Sequence, residues 1–593
     1  MTEPKTWYAA TAVVAPERPA LNHDLDADVC VIGAGLAGLT VAREVARRGW
    51  SVAVLDAGEV AGGASGRNAG FVSPGFAERI DAIVERVGLP RAKELWALSL
   101  SGVDYIRRAI SDTGMPGVET RDGRLSVRRT DDEPKLLEHA AMLRVDFGAD
   151  VEAWPTDQVR EVLRSPYYFQ GIHFAQAFHI HPLNYALGLA ADAEKHGARI
   201  FQNTQATGID SAGVRKRVQT TGGLVRARHV VLAGSTGIGP IDGELAATVL
   251  PISTYIGVTA ELGEKLFEAV RYTGAVADTR RAGDYYRVID DDRLLWGGRI
   301  STRTSEPRRL KAQIRRDILT VYPQLGDVEI EHAWAGTMAY AVHKMPQIGE
   351  LAPGYWLASA FGGHGLNTTA MAGEMIARAI LDGDDRWRLF SSYELVWAGG
   401  AFGRTAAQAS FWLMQKRDAF TDWVSRYRDQ ARRESEARQA RFEAEKAARK
   451  AVAEARRAEE EARRVAEKEA RRLAAEEARR VAAEKARLAK EEVERLREER
   501  RLAAEEARRA AEAQAMRDVA EAAATLVRQV EAHKALTAGG EAQRVTQSSP
   551  AVSDETAAVP PPTATSDETG ESLGKRRRSK KKKAVSEPAP PAT

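Results

Sequence analysis

Three glycines, at residues 33, 35 and 38, follow the apolar run DVCVIGAG (28–35) and open LAGLTVAREVARRG (36–49), whose apolar spacing is helical. A second apolar run, SVAVLDAG (51–58), ends on Asp56 with Ala57 beside it. Strand, Gly33-x-Gly35-x-x-Gly38, helix, strand and acid is an arrangement suited to a dinucleotide. Gly33 allows the tight turn, Gly35 lets backbone approach a pyrophosphate, and Gly38 lets the helix lie close on the strand. The helix begins at Leu36 and Ala37, where unbonded N–H groups and the helix dipole favour an anion. Asp56, 21 residues after Gly35, can accept hydrogen bonds from an adenosine ribose, and its charge disfavours a 2′-phosphate.

Other residues invite a chemical role. Gly362-Gly363-His364-Gly365 lies between an apolar run and a second helical segment that starts with Leu366 and Asn367. A helix N-terminus aimed at a bound group stabilises negative charge there. His364 could act in proton chemistry or simply shape the turn. Tyr285, Tyr286, Arg287, Trp296 and Arg299 form an aromatic and basic group within DYYRVIDDDRLLWGGRIS (284–301), which reads as a hairpin turning at Asp290-Asp291-Asp292. Strand alternation puts Tyr285 and Arg287 on one face and Tyr286 on the other. An arginine on the correct face would bind a carboxylate through two parallel hydrogen bonds.

Around these residues the chain alternates strand-like and helix-like segments. A parallel βαβ unit at the start coexists with antiparallel strands such as RLSVRRT (124–130). The expected fold is mixed α/β: a Rossmann-type domain with a parallel sheet, plus a substrate domain built on an antiparallel sheet, interleaved over 1–427. Cys30 is the single cysteine, which excludes an internal disulfide, a CxxC pair and a cysteine-rich metal cluster; no metal site is expected. The first twenty residues lack a basic segment followed by an apolar run, so no signal peptide is expected. No stretch of about 18 apolar residues predicts a membrane span. These features lead to an expected cytoplasmic location, with peripheral membrane contact left open.

Segments spread along 1–427 resemble the D-amino-acid oxidase superfamily of FAD-dependent oxidoreductases, and among its members gamma-glutamylputrescine oxidase-type enzymes. They are WYAAT (7–11), GASGRNAG (63–70), HPLNYALGLAADAEKHGARIF (181–201), HVVLAGSTG (229–237), WLASAFGGHGLNTTAMAGEMIARAI (356–380) and GGAFGRTAAQASFWLMQKRD (399–418). The resemblance implies noncovalent FAD, held by the glycine fingerprint and Asp56 and by Ser65, Arg67, Asn68, Gly70, Ala206, Ala233, Gly363, His364, Gly365, Leu366 and Asn367. It implies oxidation of the C–N bond of an amine or amino acid, with a gamma-glutamylated polyamine as one such substrate and molecular oxygen or another acceptor taking the electrons. His364, Lys344, Arg299 and Tyr286 are the candidate catalytic residues. Lys344 enters because related oxidases often place a basic residue near flavin N5. Two alternatives stay open: a membrane-associated FAD dehydrogenase that reduces a quinone or carrier, and a non-catalytic flavin-fold scaffold.

The rest of the chain lies outside that resemblance. The whole carries 86 basic and 83 acidic residues, a near-balance that hides local asymmetry. All 11 Trp and 14 Tyr lie at or before Tyr427, and Phe442 is the only aromatic residue beyond it. Residues 428–538 are dominated by Ala, Glu, Arg and Lys, strong helix formers, with repeated Glu-to-Arg pairs four residues apart. A continuous helix of about 110 residues would measure roughly 165 Å. Val465, Leu473, Val481, Leu488, Leu496 and Leu502 do not keep a heptad step, so the segment reads as a solvated helix or as an irregular coil that self-associates. Residues 539–593 read as a disordered tail. Its KRRRSKKKK (575–583) would contact anionic membrane, contact nucleic acid, or remain solvated.

Overall fold

The computed structural model describes residues 6–280, 283–464, 477–508 and 511. Two sheets organise residues 6–399. The first is eight-stranded. Its continuous path runs β16 (Gln347–Ala352), β17 (Tyr355–Ser359), β10 (Leu224–Leu232), β1 (Leu25–Ile32), β2 (Val52–Leu55) and β7 (Arg199–Phe201), with β8 (Ala206–Asp210) and β9 (Lys216–Thr220) attached beside β10. Its centre is parallel: β10, β1 and β2 run together, as do β10 with β17 and β2 with β7. That is why β1 and β2 read as continuous apolar runs, since both of their faces are covered.

The second sheet has nine strands. They run β15 (Ile330–Ala341), β11 (Val249–Thr259), β14 (Arg293–Ser301), β13 (Tyr285–Ile289), β12 (Ala275–Asp278), β4 (Arg121–Val127), β6 (Gly171–His179) and β3 (Phe71–Val72), with β5 (Val151–Trp154) paired to β6. The pairing is antiparallel except where β12 meets β4. β13 and β14 form the expected hairpin, and the turn is made by two aspartates, Asp290 at φ 52° and Asp291 at φ 66°. Positive φ at consecutive central residues gives the turn the twist that hairpin strands need. The fold is therefore mixed α/β, as expected.

Helices supply the rest of the frame. α1 (Leu36–Arg47) follows β1, α2 (Leu89–Thr113) and α3 (Glu133–Phe147) cover the first half, α4 (Leu310–Val321) packs under the second sheet, and α5 (Gly365–Asp382) follows β17. Leu310, Ile314, Ile318 and Val321 of α4 are buried in one cluster with Leu125, Val276, Tyr286 and Trp296 of the sheet.

The last helix changes the domain picture. α6 (Gly400–Arg464) runs without a break through residue 427, so the change in composition there is not a structural boundary. Beyond it, Asp429 still pairs with Arg160 at 3.1 Å and Arg432 with Asp131 at 2.9 Å. Residues 477–508 are helical and double back along α6. Arg487 meets Glu443, Arg428 meets Glu506, and Lys135 of α3 donates to the Ala507 carbonyl at 3.0 Å. Falling numbers on one segment against rising numbers on the other mark antiparallel packing of the two helical segments. Of the two expected forms, a solvated single helix or an irregular coil, the described residues show helix packed on helix within one chain. Alanine-rich faces allow the close approach, and Ala503 and Ala507 are buried. Residues 465–476, the basic run 575–583 and the rest of the expected tail lie outside the described residues.

α6 also closes a buried charge knot. Arg129 lies 3.2 Å from Asp278 and 2.6 Å from Asp284, Arg280 is within 2.7 Å of the same two carboxylates, and Asp422 of α6 stands 3.9 Å from Arg129 and 3.8 Å from Arg280. Burial pushes the Asp422 carboxyl up to about 6, with the two arginines opposing. A carboxyl whose folded pKa is raised holds its proton more tightly in the folded chain. Its contribution is therefore stabilising in acid and is lost as pH rises through about 6. Removing a cation should cost far more than neutralising this acid. Arg129→Ala should lower stability by about 3–5 kcal/mol, because it strands buried carboxylates. Asp422→Asn at pH 8 should stay within about 1 kcal/mol of the parent or exceed it. Thermal unfolding of the full chain decides; equal losses for both variants would contradict this account.

Candidate active site

A cavity of about 480 Å³ opens between the two sheets. One end is the glycine fingerprint. Gly33 sits at φ 111°, and a Cβ there would come within 2.6 Å of the Ala233 carbonyl oxygen. A Cβ on Gly38 would lie 2.0 Å from the Gly33 carbonyl oxygen. So Gly38 acts as packing beneath the turn and does not line the cavity, whereas Gly33, Gly35, Leu36 and Ala37 do. Ser65 joins them: its Oγ accepts the Leu36 N–H at 3.0 Å, which fixes the 62–70 loop over the helix start.

Asp56 lies at the end of β2, beside the cavity. Its Oδ2 accepts the Ala34 N–H at 2.7 Å and its Oδ1 accepts the Gly58 N–H at 2.9 Å. The carboxylate is thereby held in one orientation while remaining partly exposed. Arg67 and Asn68 also line the site. Asn68 shapes its own loop, since its amide donates to the Ala64 and Ser65 carbonyls and its Oδ1 accepts the Gly70 N–H. Ala233, Gly363, His364, Gly365 and Leu366 complete the part of the wall expected from sequence.

Four other expected contacts stand apart from the cavity wall. Ala57 is exposed beyond β2, and Ala206 is buried on β8. Gly70 faces the Ile180 carbonyl, where a Cβ would stand at 2.1 Å. The Asn367 amide is buried and donates to the Gly75 and Ser99 carbonyls, which ties α5 to α2.

Of the candidate catalytic residues, the structure brings only His364 to the cavity. It caps α5, and burial, helped by the Arg124 charge, pulls its pKa down to about 3. The imidazole is neutral at ordinary pH. Tyr286 projects from the far face of the sheet, where its ring stacks on Trp296 at 4.5 Å and its hydroxyl meets that of Tyr322 at 2.6 Å. Arg299 sits at φ 57°, next to a register shift between β11 and β14, and its guanidinium makes a two-bond pair with Asp317 at 2.6 and 2.7 Å. Lys344 is fully buried, with its ammonium 2.8 Å from Glu78. None of these three lines the cavity. Arg287 shares the cavity face with Tyr285 but is taken up by His179 and the Tyr8 hydroxyl.

The sequence reading passed over the residues that charge the cavity. Arg124 of β4 lines it, donates to Ser73 Oγ at 3.2 Å, lies 5.4 Å from the Phe174 ring centroid, and has no carboxylate partner among the described residues. Burial pulls its pKa down to about 10. Asp278, Arg280 and Asp284 of the charge knot line the opposite part, with Tyr285, whose hydroxyl meets Thr254 Oγ1 at 2.8 Å. Asp284 gives its Oδ2 to Arg129 and Arg280, and no hydrogen bond reaches its Oδ1 among the described residues. The strand pairings Arg124↔Ala275 and Ala277↔Tyr285 put the Cα atoms of Arg124 and Asp284 about 14 Å apart, given strands about 4.8 Å apart and a rise of about 3.3 Å per residue. Alternation within RDGRLSV (121–127) already sets Arg124 opposite Leu125 and Val127. Which face meets the cavity is decided by strands more than a hundred residues away.

The donor set fits FAD. The backbone is bare at Gly33 and Gly35, a helix N-terminus faces the cavity, Asp56 is oriented beside it, and a second helix N-terminus arrives at Gly363–Leu366. Burial pushes the Cys30 thiol up to about 12, within β1, so this cysteine offers no thiolate for a covalent link. Gly33→Ala and Gly38→Ala should each yield protein with little or no bound flavin, since both place a Cβ on backbone that cannot move away. The ratio of flavin to protein after purification and FAD addition is the readout. Full occupancy in either variant would refute the assigned cradle.

Comparisons with known proteins identify the family. The model of a family described as DAO, FAD dependent oxidoreductase, matches residues 28–379. A probable oxidoreductase OrdL of Haemophilus influenzae is 33% identical over 387 residues, spanning 64% of this chain and 88% of that protein. The gamma-glutamylputrescine oxidoreductase of Escherichia coli is 30% identical over 396 residues, spanning 66% and 92%. Among solved structures, glycine oxidase from Bacillus cereus superposes with a TM-score of 0.52 at 20% identity, over 62% of this chain and 98% of its own. L-proline dehydrogenase from P. horikoshii gives 0.53 at 18%, over 62% and 96%. With the matched segment running from β1 to α5, the chain belongs to the DAO family of FAD dependent oxidoreductases.

Proposed function

We propose that this enzyme oxidises the C–N bond of an amine that carries both a carboxylate and a second cationic nitrogen. As a member of its family it acts on amines or amino acids. The observation that carries the finer reading is Arg124, a cavity cation with no acidic partner among the described residues. A guanidinium in that state suits a carboxylate, which it can bind through two parallel hydrogen bonds. Oδ1 of Asp284, which receives no hydrogen bond among the described residues, suits an ammonium elsewhere on the same molecule. Gamma-glutamylated polyamines and dibasic amino acids have this make-up, and one curated relative is named for gamma-glutamylputrescine.

Bound FAD would supply the two-electron acceptor. Gly33, Gly35, Leu36, Ala37, Asp56 and Ser65 would hold it. Arg124 and Asp284 then orient the substrate, which fixes the reacting carbon without further motion. Burial and the Arg124 charge disfavour the ammonium form of an amine near His364, and only the neutral amine can be oxidised. The substrate loses two electrons and two protons to become an imine. Water hydrolyses the imine to a carbonyl compound and releases the nitrogen fragment, and the electrons pass on to molecular oxygen or another acceptor. Tyr285, fixed by Thr254, forms the aromatic part of the wall together with Phe71, Tyr340 and Phe361.

Anaerobic titration of the FAD-loaded chain with gamma-glutamylputrescine, lysine, putrescine and glycine tests this reading. A compound with both charges should bleach the visible flavin band. Arg124→Ala should lower kcat/KM for that compound about a hundredfold, the effect of losing about 3 kcal/mol from a buried charge pair, while leaving putrescine almost unchanged. Asp284→Asn should raise KM for the doubly charged compound and spare glycine. No bleaching by any of the four, or an Arg124→Ala effect equal on all of them, would sink the proposal. The pH profile offers a separate check. kcat/KM should climb as the substrate amine loses its proton, and His364→Asn should leave that midpoint in place, because His364 is already neutral far above about 3.

A further inference from the structure

The first seven turns of α6 turn two different faces outward and inward. The inward face carries Ala407, Met414, Asp418, Asp422 and Ser425, all buried. The outward face carries Phe402, Trp412, Leu413, Phe420, Trp423 and Tyr427, which expose between 56% and 86% of their surface. Steps of 11, 7 and 7 residues from Phe402 through Leu413 and Phe420 to Tyr427 are close to whole helical turns, so these side chains form one stripe. Twenty-five residues at about 1.5 Å each make it about 37 Å long. Trp423 lies 6.2 Å from Phe420 and stacks on Tyr427 at 5.8 Å. At roughly 200 Å² per large aromatic side chain, the exposed apolar surface is about 700 Å² or more, above the few hundred Å² that a monomer ordinarily leaves open.

Charge selects what covers it. Between residues 400 and 428 the only carboxylates are Asp418 and Asp422, and both are buried on the inward face. Every exposed or half-exposed charge there is positive: Arg404, Lys416, Arg417, Arg426 and Arg428. Arg404, Lys416 and Arg417 have no ion-pair partner among the described residues. A second copy of the chain laid antiparallel on this stripe would bring Lys416 and its basic neighbours against their own equivalents. An anionic lipid surface meets no such repulsion. Trp, Tyr, Phe and Leu on one side of a helix, flanked by Lys and Arg, is the composition of a helix that lies in the headgroup region. The sequence also carries KRRRSKKKK (575–583), outside the described residues, and a basic run of this kind adds its own attraction to anionic lipid.

We propose that the outward aromatic and basic face of α6, centred on Trp412, Phe420 and Trp423, docks this enzyme on an anionic membrane surface. The paired helical segments 428–464 and 477–508 then continue from a helix lying parallel to that surface.

Flotation of the full, FAD-loaded chain with extruded vesicles tests it, comparing phosphatidylcholine alone with a mixture containing phosphatidylglycerol, at low and high salt. The chain should float with the anionic vesicles, and salt should weaken the association. Brominated lipid should quench part of its tryptophan fluorescence. The triple variant Trp412→Ser, Phe420→Ser, Trp423→Ser should float at least tenfold less while keeping its flavin content and amine oxidation. A second variant with the basic residues of 575–583 changed to Ser should still show bromolipid quenching. Three results would overturn the proposal: no flotation with anionic vesicles; flotation unchanged by the triple variant and abolished by the 575–583 variant; or a lipid-independent dimer by sedimentation velocity that the triple variant dissociates.

Discussion

Arg124, Ala277 and Tyr285 project from one face of the nine-stranded sheet, and Leu125, Val276 and Tyr286 project from the other. Period-two alternation allows nothing else. α4 covers the second face with Ile314, Ile318 and Val321, which pack there on Leu125, Val276, Tyr286 and Trp296. The first face must then meet the glycine-bearing edge of the other sheet, and the cavity is the gap between them. Arg124 and Tyr285 face that gap by alternation, whereas Asp278, Arg280 and Asp284 reach it from the end of β12 and the start of β13. The placement of the site follows from this, including the exclusion of Tyr286, which has a reactive hydroxyl on the wrong side.

The nucleotide end of the site was legible because its physics is local. Gly33, Gly35, Gly38 and Asp56 fall within 24 residues, and the strand, turn and helix that use them are consecutive in the chain. The substrate end was not legible in the same way. Arg124 becomes a cavity residue only because β4 pairs with β12, and Asp284 only because Asp278 and Arg280 hold it there. Arg299 was a reasonable candidate on the hairpin. A register shift between Thr254 and Tyr255 and a left-handed backbone at Arg299 go with a side chain delivered to Asp317. Alternation predicted from sequence fails where a bulge adds a residue, and a bulge is seldom visible in one sequence.

Three carboxylates and two guanidiniums share the knot beside the cavity, an arrangement that costs desolvation on every member. Replacement by apolar residues would often stabilise such a cluster. Its retention fits a different role, because Asp284 belongs to the knot and to the cavity at once. Arg129 and Arg280 take its Oδ2, which fixes the direction of Oδ1. A carboxylate oriented in this way binds an ammonium with less loss of side-chain freedom than one on a mobile stem.

α6 ties this knot to everything that follows residue 400. Composition alone draws a line at residue 427, where aromatic residues end, yet the carboxylates that bind α6 to the body fall on both sides of that line: Asp422 before it, Asp429 after it. The aromatic residues that made the front look like a separate globule belong partly to the outward stripe and bury nothing there. So the loss of aromatics at 427 marks the end of an exposed surface rather than the end of a core. A helix with acids facing in and rings with bases facing out is amphipathic in the reverse of the ordinary sense. That inversion is stable only because arginines of the body receive the acids. The ion pairs that join α6 to the charge knot beside the cavity therefore set which side of α6 is presented outward.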